Sequence, residues 1–250
     1  MQRAAEAGLA AIALTDHDTT GGLEEALEAG RRLGVEVVPG IELSASLEGR
    51  EVHLLGYFIR REDARLSERL ASLQSERAER IERIVARLNE QKIPVTIEEV
   101  RSFAGGQSVG RPHVADALVS GGFVPSYEIA WRDYLSAGGK AYVERTKIPL
   151  PEAISLVHAC GGVVSVAHPT LNLGLDALEN VAGLGVDALE TVHPRVTESE
   201  ARALGDLCRR RGLLESGGSD CHGDRRGAPT MGLYRVPLER LDALRRLARG

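Results

Sequence analysis

The sequence predicts an α/β protein built on a sheet or barrel of parallel strands and interrupted by a helical insert. Three observations predict it. Short apolar runs alternate with amphipathic helical stretches, glycine falls where several of those helices should end, and the rhythm breaks once over a long central segment. With 250 residues the chain suffices for one barrel-sized domain or a domain with an insert. Aromatic residues make up only 4%, so the core must rest on Leu, Val, Ile and Ala, which suits packed helices and strands better than a β-sandwich.

The elements follow in order. Residues 10–14 (AAIAL), 35–42 (VEVVPGIE) and 52–58 (VHLLGYF) read as strands, as do 163–167 (VVSVA), 186–192 (VDALETV) and 213–216 (LLES). Helical patterns lie between them at 22–33, 151–159, 174–183 and 197–211, with Gly34, Gly161, Gly185 and Gly212 at their expected ends. The tail, 231–250, reads as one more strand and a closing helix. Residues 1–60 and 150–250 thus form a discontinuous barrel domain.

Residues 61–149 form the insert, longer than an ordinary loop and expected to cap the active-site mouth. Its first part, 62–92, is a long charged helix with Leu66, Leu70, Leu73, Ile81, Ile84 and Leu88 at three-to-four spacing, and Arg77 interrupting the stripe. Helical segments at 97–103, 112–120 and 126–136 follow, with glycine pairs between some of them.

Composition excludes several functions. A hydrophobic share of 43% beside 27% charged residues excludes a disordered chain. A net charge of −5 argues against gripping long nucleic acid by a basic surface, but not against a small anionic substrate, because bound cations can supply local positive charge. Cys160, Cys208 and Cys221 are odd in number and far apart, offering neither a disulfide framework nor a CxxC pair, which fits a reducing cytoplasmic setting. No apolar run approaches the roughly 20 residues that span a bilayer. Residues 1–14 (MQRAAEAGLAAIAL) read as a helix end plus a strand rather than a leader, since Glu6 interrupts them and the charged TDHD follows.

Histidine placement carries the chemistry. Of the seven histidines, His17, His168, His193 and His222 each fall at or just past the end of an expected strand. Glu42 ends another strand, and His53 lies early in VHLLGYF. In parallel barrels the loops after the strands converge to build the active site. Imidazole and carboxylate together suit zinc, manganese or iron. A lone histidine at a strand end is usually structural, but four at corresponding ends, with Asp220 two residues before His222, make coincidence a poor account. Ions clustered there would activate a water and stabilise charge on a phosphoryl group.

Other residues carry two readings. Asp16 and Asp18 flank His17 and either orient an imidazole or cap the following helix. In SVGRPHVADAL, Arg111 and His113 bracket a proline that suits a helix start. The same residues could grip phosphate through a guanidinium beside helix N-terminal amides. His158, inside an apolar helical pattern, reads as a packing or surface residue, and Cys221 as a small buried neighbour of the ligands.

Taken together, TDHDTTGG, PGIELSA, VHLLGYF, GRPHVADAL, VVSVAHP and GGSDCHG, in this order, resemble the motifs of the PHP family, the polymerase and histidinol phosphatase metal-dependent phosphoesterases. The insert with GRPH is similar to the subgroup of 3′,5′-nucleoside bisphosphate phosphatases, some of which also trim short RNA from the 5′ end. The resemblance implies a distorted TIM-like (β/α)7 barrel binding up to three divalent ions (Mn, Zn or Fe). His17 would correspond to the histidine of the TDH motif, and Glu42 to a glutamate bridging two ions. His53 and His168 would complete one site with Glu42, while Asp220 and His222 would serve the other two. Arg111, His113 and His193 would face substrate phosphate. The family pattern also begins with a strand bearing His-x-His and a further ligand, whereas this sequence opens on what looks like the next helix. The expectation is therefore a barrel lacking its first strand, with one complete ion site and two partial ones.

The resulting expectation is a hydrolase of small phosphate monoesters, chiefly a 3′,5′-nucleoside bisphosphate, with no long nucleic acid and no membrane as partner. The alternatives are a histidinol-phosphate-like phosphatase, a non-catalytic metal-binding module, and a related amidohydrolase. The last commonly uses a carboxylated lysine, and no strand-end lysine is evident.

Overall fold

The computed structural model describes residues 1–104, 109–145, 147–223 and 230–248. The chain divides into two compact units, Met1–Ser67 with Lys147–Gly250, and Glu68–Thr146.

In the first unit the apolar runs become strands: β1 (Ala11–Leu14), β2 (Glu36–Leu47), β3 (Arg50–Tyr57), β4 (Ile148–Pro149), β5 (Val163–Val166), β6 (Ala188–Val192) and β7 (Leu214–Gly217). They form a curled half-barrel sheet in the order β1-β2-β3-β5-β6-β7, with β4 beside β2. Among the described residues β1, β4 and β7 each pair with one strand only. The expectation of uniformly parallel strands is corrected at one place. β1, β4, β6 and their partners pair in parallel, but β3 runs antiparallel to both β2 and β5. The reason lies in the connection: β2 turns directly into β3 through Glu48 (φ 51°) and Gly49 (φ 80°). That is a tight hairpin, whereas a parallel pair needs a crossover of a dozen or more residues.

The helices of this unit are α1 (Gln2–Glu6), α2 (Leu23–Leu33), α7 (Leu150–Ala159), α8 (Leu175–Ala182), α9 (Glu198–Arg211) and α10 (Leu238–Ala248). Their ends follow local chemistry. Thr197 and Glu200 form a reciprocal capping box at α9, and Gly34 and Gly212 close α2 and α9 in the left-handed conformation. The strand expected in the tail does not form. Gly232 (φ 80°) and Pro237, which has no N–H to donate, bracket 233–236, and those residues join no ladder. The core includes Val38, Leu55, Tyr57, Val163, Ala188 and Leu244, and deeper in the sheet Ser165 and Ser216 share a buried hydroxyl–hydroxyl bond of 2.8 Å.

The second unit is helical. It contains most of α3 (Ala64–Glu90), then α4 (Ile97–Ser102), α5 (Arg111–Ser120) and α6 (Tyr127–Ala130), which passes into a π-helical turn at Trp131–Leu135. The α3 stripe read from the sequence is buried at every position named for it. Ile81, Ile84 and Leu88 pack with Val100, Val114 and Leu118. One glycine pair, at 105–106, lies outside the described residues. No helix among the described residues is long and apolar enough to cross a membrane.

Candidate metal centre

The loop after β1 is laced onto β2 by its backbone. Glu42 N donates to Asp16 O at 3.1 Å, and Asp18 N donates to Glu42 O at 2.9 Å, so His17 bridges to Glu42 as if β1 continued. This places His17 Nε2 at 3.5 Å from Glu42 Oε2. Asp18 is buried, and its Oδ1 accepts Ser44 N at 3.3 Å, while the N-cap of α2 is Gly22 without a side-chain cap. Asp18 therefore does not cap α2; the bond it is seen to make ties the loop that carries His17 to β2.

The hairpin supplies the next ligand. His53 on β3 stands opposite Ser44 and points its Nδ1 at Glu42 Oε1, 2.8 Å away. His168, just past β5, brings Nε2 to 3.2 Å from His53 Nδ1 and 3.5 Å from the same Glu42 oxygen. A tetrahedral ion with bonds of about 2.1 Å sets its ligand atoms about 3.4 Å apart; the two sides that meet at His168 Nε2 are close to that spacing, while the His53–Glu42 side is at hydrogen-bond distance and would open to admit an ion. His17 extends the cluster: one ligand atom each from His17, Glu42 and His53 lie within 4.8 Å of one another. The rings of His17, His53, His168 and His193 form a file with successive centroids 5.0, 5.0 and 5.3 Å apart. The donor set fits a divalent transition ion.

Hydrogen bonds decide which ring nitrogens can bind a cation. His53 Nε2 donates to Glu51 Oε1 at 2.9 Å, and Lys147 Nζ holds the other Glu51 oxygen at 2.9 Å, which leaves His53 Nδ1 for the cluster. His222 Nδ1 donates to the carbonyl of Asp220 at 2.8 Å, so its Nε2 carries the lone pair. His193 is the opposite case. Its Nδ1 accepts the Arg195 amide at 3.1 Å, so in the neutral ring Nε2 carries the proton. That N–H is buried with no hydrogen-bond partner among the described residues; Asp220 Oδ2 stands 3.6 Å away.

The electrostatics follow from this packing. Burial pushes Glu42 up, but hydrogen bonds from His168 and His53 and the field of His17 overcome it and hold the carboxyl well below its usual range. Burial likewise pulls His53 down, and its bonds to Glu42 and Glu51 outweigh that and lift it to about 9. The bond from His53, with help from Lys147 against burial, takes Glu51 to about 2. Glu190 on β6 goes the other way: burial pushes it up to about 8 despite a hydrogen bond from the His168 backbone, with Glu42 and Asp220 adding repulsion. Burial also opposes ionisation of Asp220, but His193 and His222 hold it below its ordinary value.

Several non-glycine residues take left-handed backbone, among them Asp18 (φ 52°) in the loop that carries His17, and two more stand at the cluster. His168 lies at φ 30°, ψ 56°, and Asp220 at φ 45°, left-handed conformations that cost a non-glycine residue about 1–3 kcal/mol and persist only where the surroundings enforce them. At His168 the following Pro169 disfavours the right-handed alternative, and Glu190 Oε2 accepts the His168 amide at 2.7 Å.

The remaining candidates sit as follows. His113 is buried at the start of α5, its Nδ1 accepting the Gly110 amide at 3.0 Å. Arg111 donates to Leu135 O at 3.0 Å, with its guanidinium 4.8 Å from the Trp131 ring centre. His158 is exposed and pairs with Asp187 at 2.7 Å. Cys221 is half-buried, and all three thiols are free. Glu51, Lys147 and Glu190 were not singled out from the sequence. Glu51 stands two residues before His53 on the same strand face, and Glu190 is a lone carboxylate in an apolar strand, so both were readable. Nothing local marks Lys147.

No family model matches the chain. Among characterised proteins it is 32% identical over 229 residues to the 5′-3′ exoribonuclease Rnm of Escherichia coli, covering 89% of this chain and 78% of that one. It is 30% identical over 241 residues to a 3′,5′-nucleoside bisphosphate phosphatase of Chromobacterium violaceum (93% and 84% covered). It is 31% identical over 241 residues to a phosphoribosyl 1,2-cyclic phosphate 1,2-diphosphodiesterase of Eggerthella lenta (95% and 92% covered). Among solved structures, one assigned as a metal-dependent phosphoesterase of Bifidobacterium adolescentis superposes with a TM-score of 0.90 at 30% identity, over 98% of this chain and 88% of that one.

Proposed function

The chain belongs to the PHP-type metal-dependent phosphoesterases, and from that membership we propose that it hydrolyses a phosphate monoester of a small nucleotide, chiefly a 3′,5′-nucleoside bisphosphate. The observation that carries the reading is the convergence of three ligand atoms, His53 Nδ1, His168 Nε2 and Glu42 Oε1, within 3.5 Å of one another. An ion such as Mn, Zn or Fe held there, and by His17, Asp220 and His222 nearby, would activate water and draw charge from the phosphoryl oxygens.

The residues of the chain do the rest. Glu51 and Lys147 fix the His53 ring so that one nitrogen faces the cluster. His193 serves the substrate rather than an ion, because its buried Nε2–H is a donor without a lone pair, suited to a phosphoryl oxygen. Arg111 and His113 are carried as further phosphate-binding residues on the GRPH resemblance. Trimming of short RNA from its 5′ end is a second reading, favoured by the likeness to Rnm, since both reactions attack phosphorus in a ribonucleotide.

A substrate panel tests the proposal. Protein loaded with Mn(II), Co(II) or Zn(II) would be given a 3′,5′-bisphosphate, a 5′-phosphorylated RNA trimer, a ribose cyclic phosphate and histidinol phosphate. We expect the bisphosphate to show the highest kcat/KM and chelator to abolish turnover. A clear preference for the cyclic or histidinol ester, or no turnover with any ion, would reject it.

A further inference from the structure

We propose that Glu190 is a positioning residue of the ion site: its carboxyl group holds the His168 backbone in the left-handed turn that aims Nε2 at Glu42 and His53. This rests on the ion-site reading above and assigns a residue that is not among its ligands.

Glu190 lies on β6, and its side chain is buried. It extends to the neighbouring loop, where Oε2 accepts the amide of His168 at 2.7 Å. The conformation at His168 would not persist unaided. The residue is not glycine, it sits at φ 30°, and it precedes Pro169, which disfavours the right-handed option. The neighbouring contacts do not impose the turn from the ring side. The His168 ring meets His53 and Glu42 through Nε2, and those contacts set where the ring ends rather than how the backbone arrives. Its amide is part-buried, and a backbone N–H withdrawn from water needs an acceptor. Glu190 supplies it.

The choice of glutamate is otherwise hard to explain. A carboxyl group within the apolar ALETV strand, facing the like charges of Glu42 and Asp220, works against its own solvation. An apolar side chain would pack there without that cost, but would leave the His168 amide without its acceptor.

The test compares Glu190→Gln, which keeps an acceptor oxygen of the same reach, with Glu190→Leu, which removes it at similar volume. Co(II) is titrated into each protein, following the visible d–d bands, with thermal melting of the metal-free proteins as a folding control. We expect Glu190→Leu to lose roughly 10–100-fold in Co(II) affinity, the usual effect of removing a group that orients a ligand, and to show altered bands. Glu190→Gln should keep wild-type bands and affinity. Wild-type affinity in Glu190→Leu overturns the assignment. So does an equal loss in Glu190→Gln, which would mean that the charge itself holds the ion; that outcome remains decisive if the leucine variant does not fold. Wild-type protein that takes up no Co(II) would instead overturn the ion-site reading, and this assignment with it.

Discussion

A buried carboxylate packed against three imidazoles keeps its charge through the N–H groups and positive charge those rings turn toward it. Glu42 is held well below its usual range by His168, His53 and His17, and His53 is lifted to about 9, so without an ion the cluster stores a proton on His53. An ion must displace it, because Nδ1 is the nitrogen that faces the cluster while Nε2 is committed to Glu51. The sign is therefore fixed: affinity is greatest above pH 9 and falls as pH drops below it, by about tenfold per unit for one displaced proton. Calorimetric titration with Zn(II) at neutral pH, in buffers of different ionisation enthalpy, should show about one proton released per ion. An observed heat independent of the buffer would contradict the arrangement. Much of this cluster was legible as residue types. Histidines at strand ends announce themselves, whereas Lys147 becomes visible only when a distant segment is folded beside Glu51.

At the scale of elements, six of the seven strands are legible in the sequence, but β4 is not, the strand expected in the tail does not form, and the direction of β3 differs from the expectation. Apolar alternation marks a strand without saying which way it runs. Only the connection tells, and 43–51 was already too short for a helical crossover, so the hairpin could have been inferred. The consequence is functional, because β3 reaches the cluster from the opposite direction and presents His53 opposite Ser44. A second constraint sits at Gly40 on β2, which packs against the end of β1. A Cβ there would lie 2.8 Å from Thr15 Cγ2 and 2.9 Å from Leu14 O, and the backbone oxygen cannot step aside without moving the strand. Gly40→Ala should therefore destabilise the protein by about 1–3 kcal/mol and shift the loop that carries His17. Urea unfolding measures the first effect, and a weakened Co(II) affinity the second. Unchanged stability would show that the strands have slack the packing does not reveal.

For the molecule as a whole, the ion should act as a fastener between segments far apart in sequence. Glu42 and His53 come from the β2–β3 hairpin, His168 from the loop after β5, and Asp220 and His222 from the loop after β7, all within one compact unit. An ion that binds the folded unit and not the unfolded chain adds RT ln(1 + [ion]/Kd), about 2.7 kcal/mol at a hundredfold excess over Kd. For a chain of this size each kcal/mol moves the midpoint by about 2–4 °C, so the ion should raise it by about 5–10 °C. Because the chain divides into two compact units, a single melting curve need not be two-state, and the gain must be located as well as measured. Hydrogen exchange supplies the location: peptides from β2, β3 and the loops after β5 and β7 should gain protection with Mn(II). In Glu42→Gln, which removes the carboxylate common to the His53 and His168 contacts, the gain should vanish. The acidic surface, at net −5, will also attract cations loosely, but such binding is screened by salt. A stabilisation that disappears in 0.5 M salt, or that survives Glu42→Gln, would therefore belong to the surface and not to the cluster.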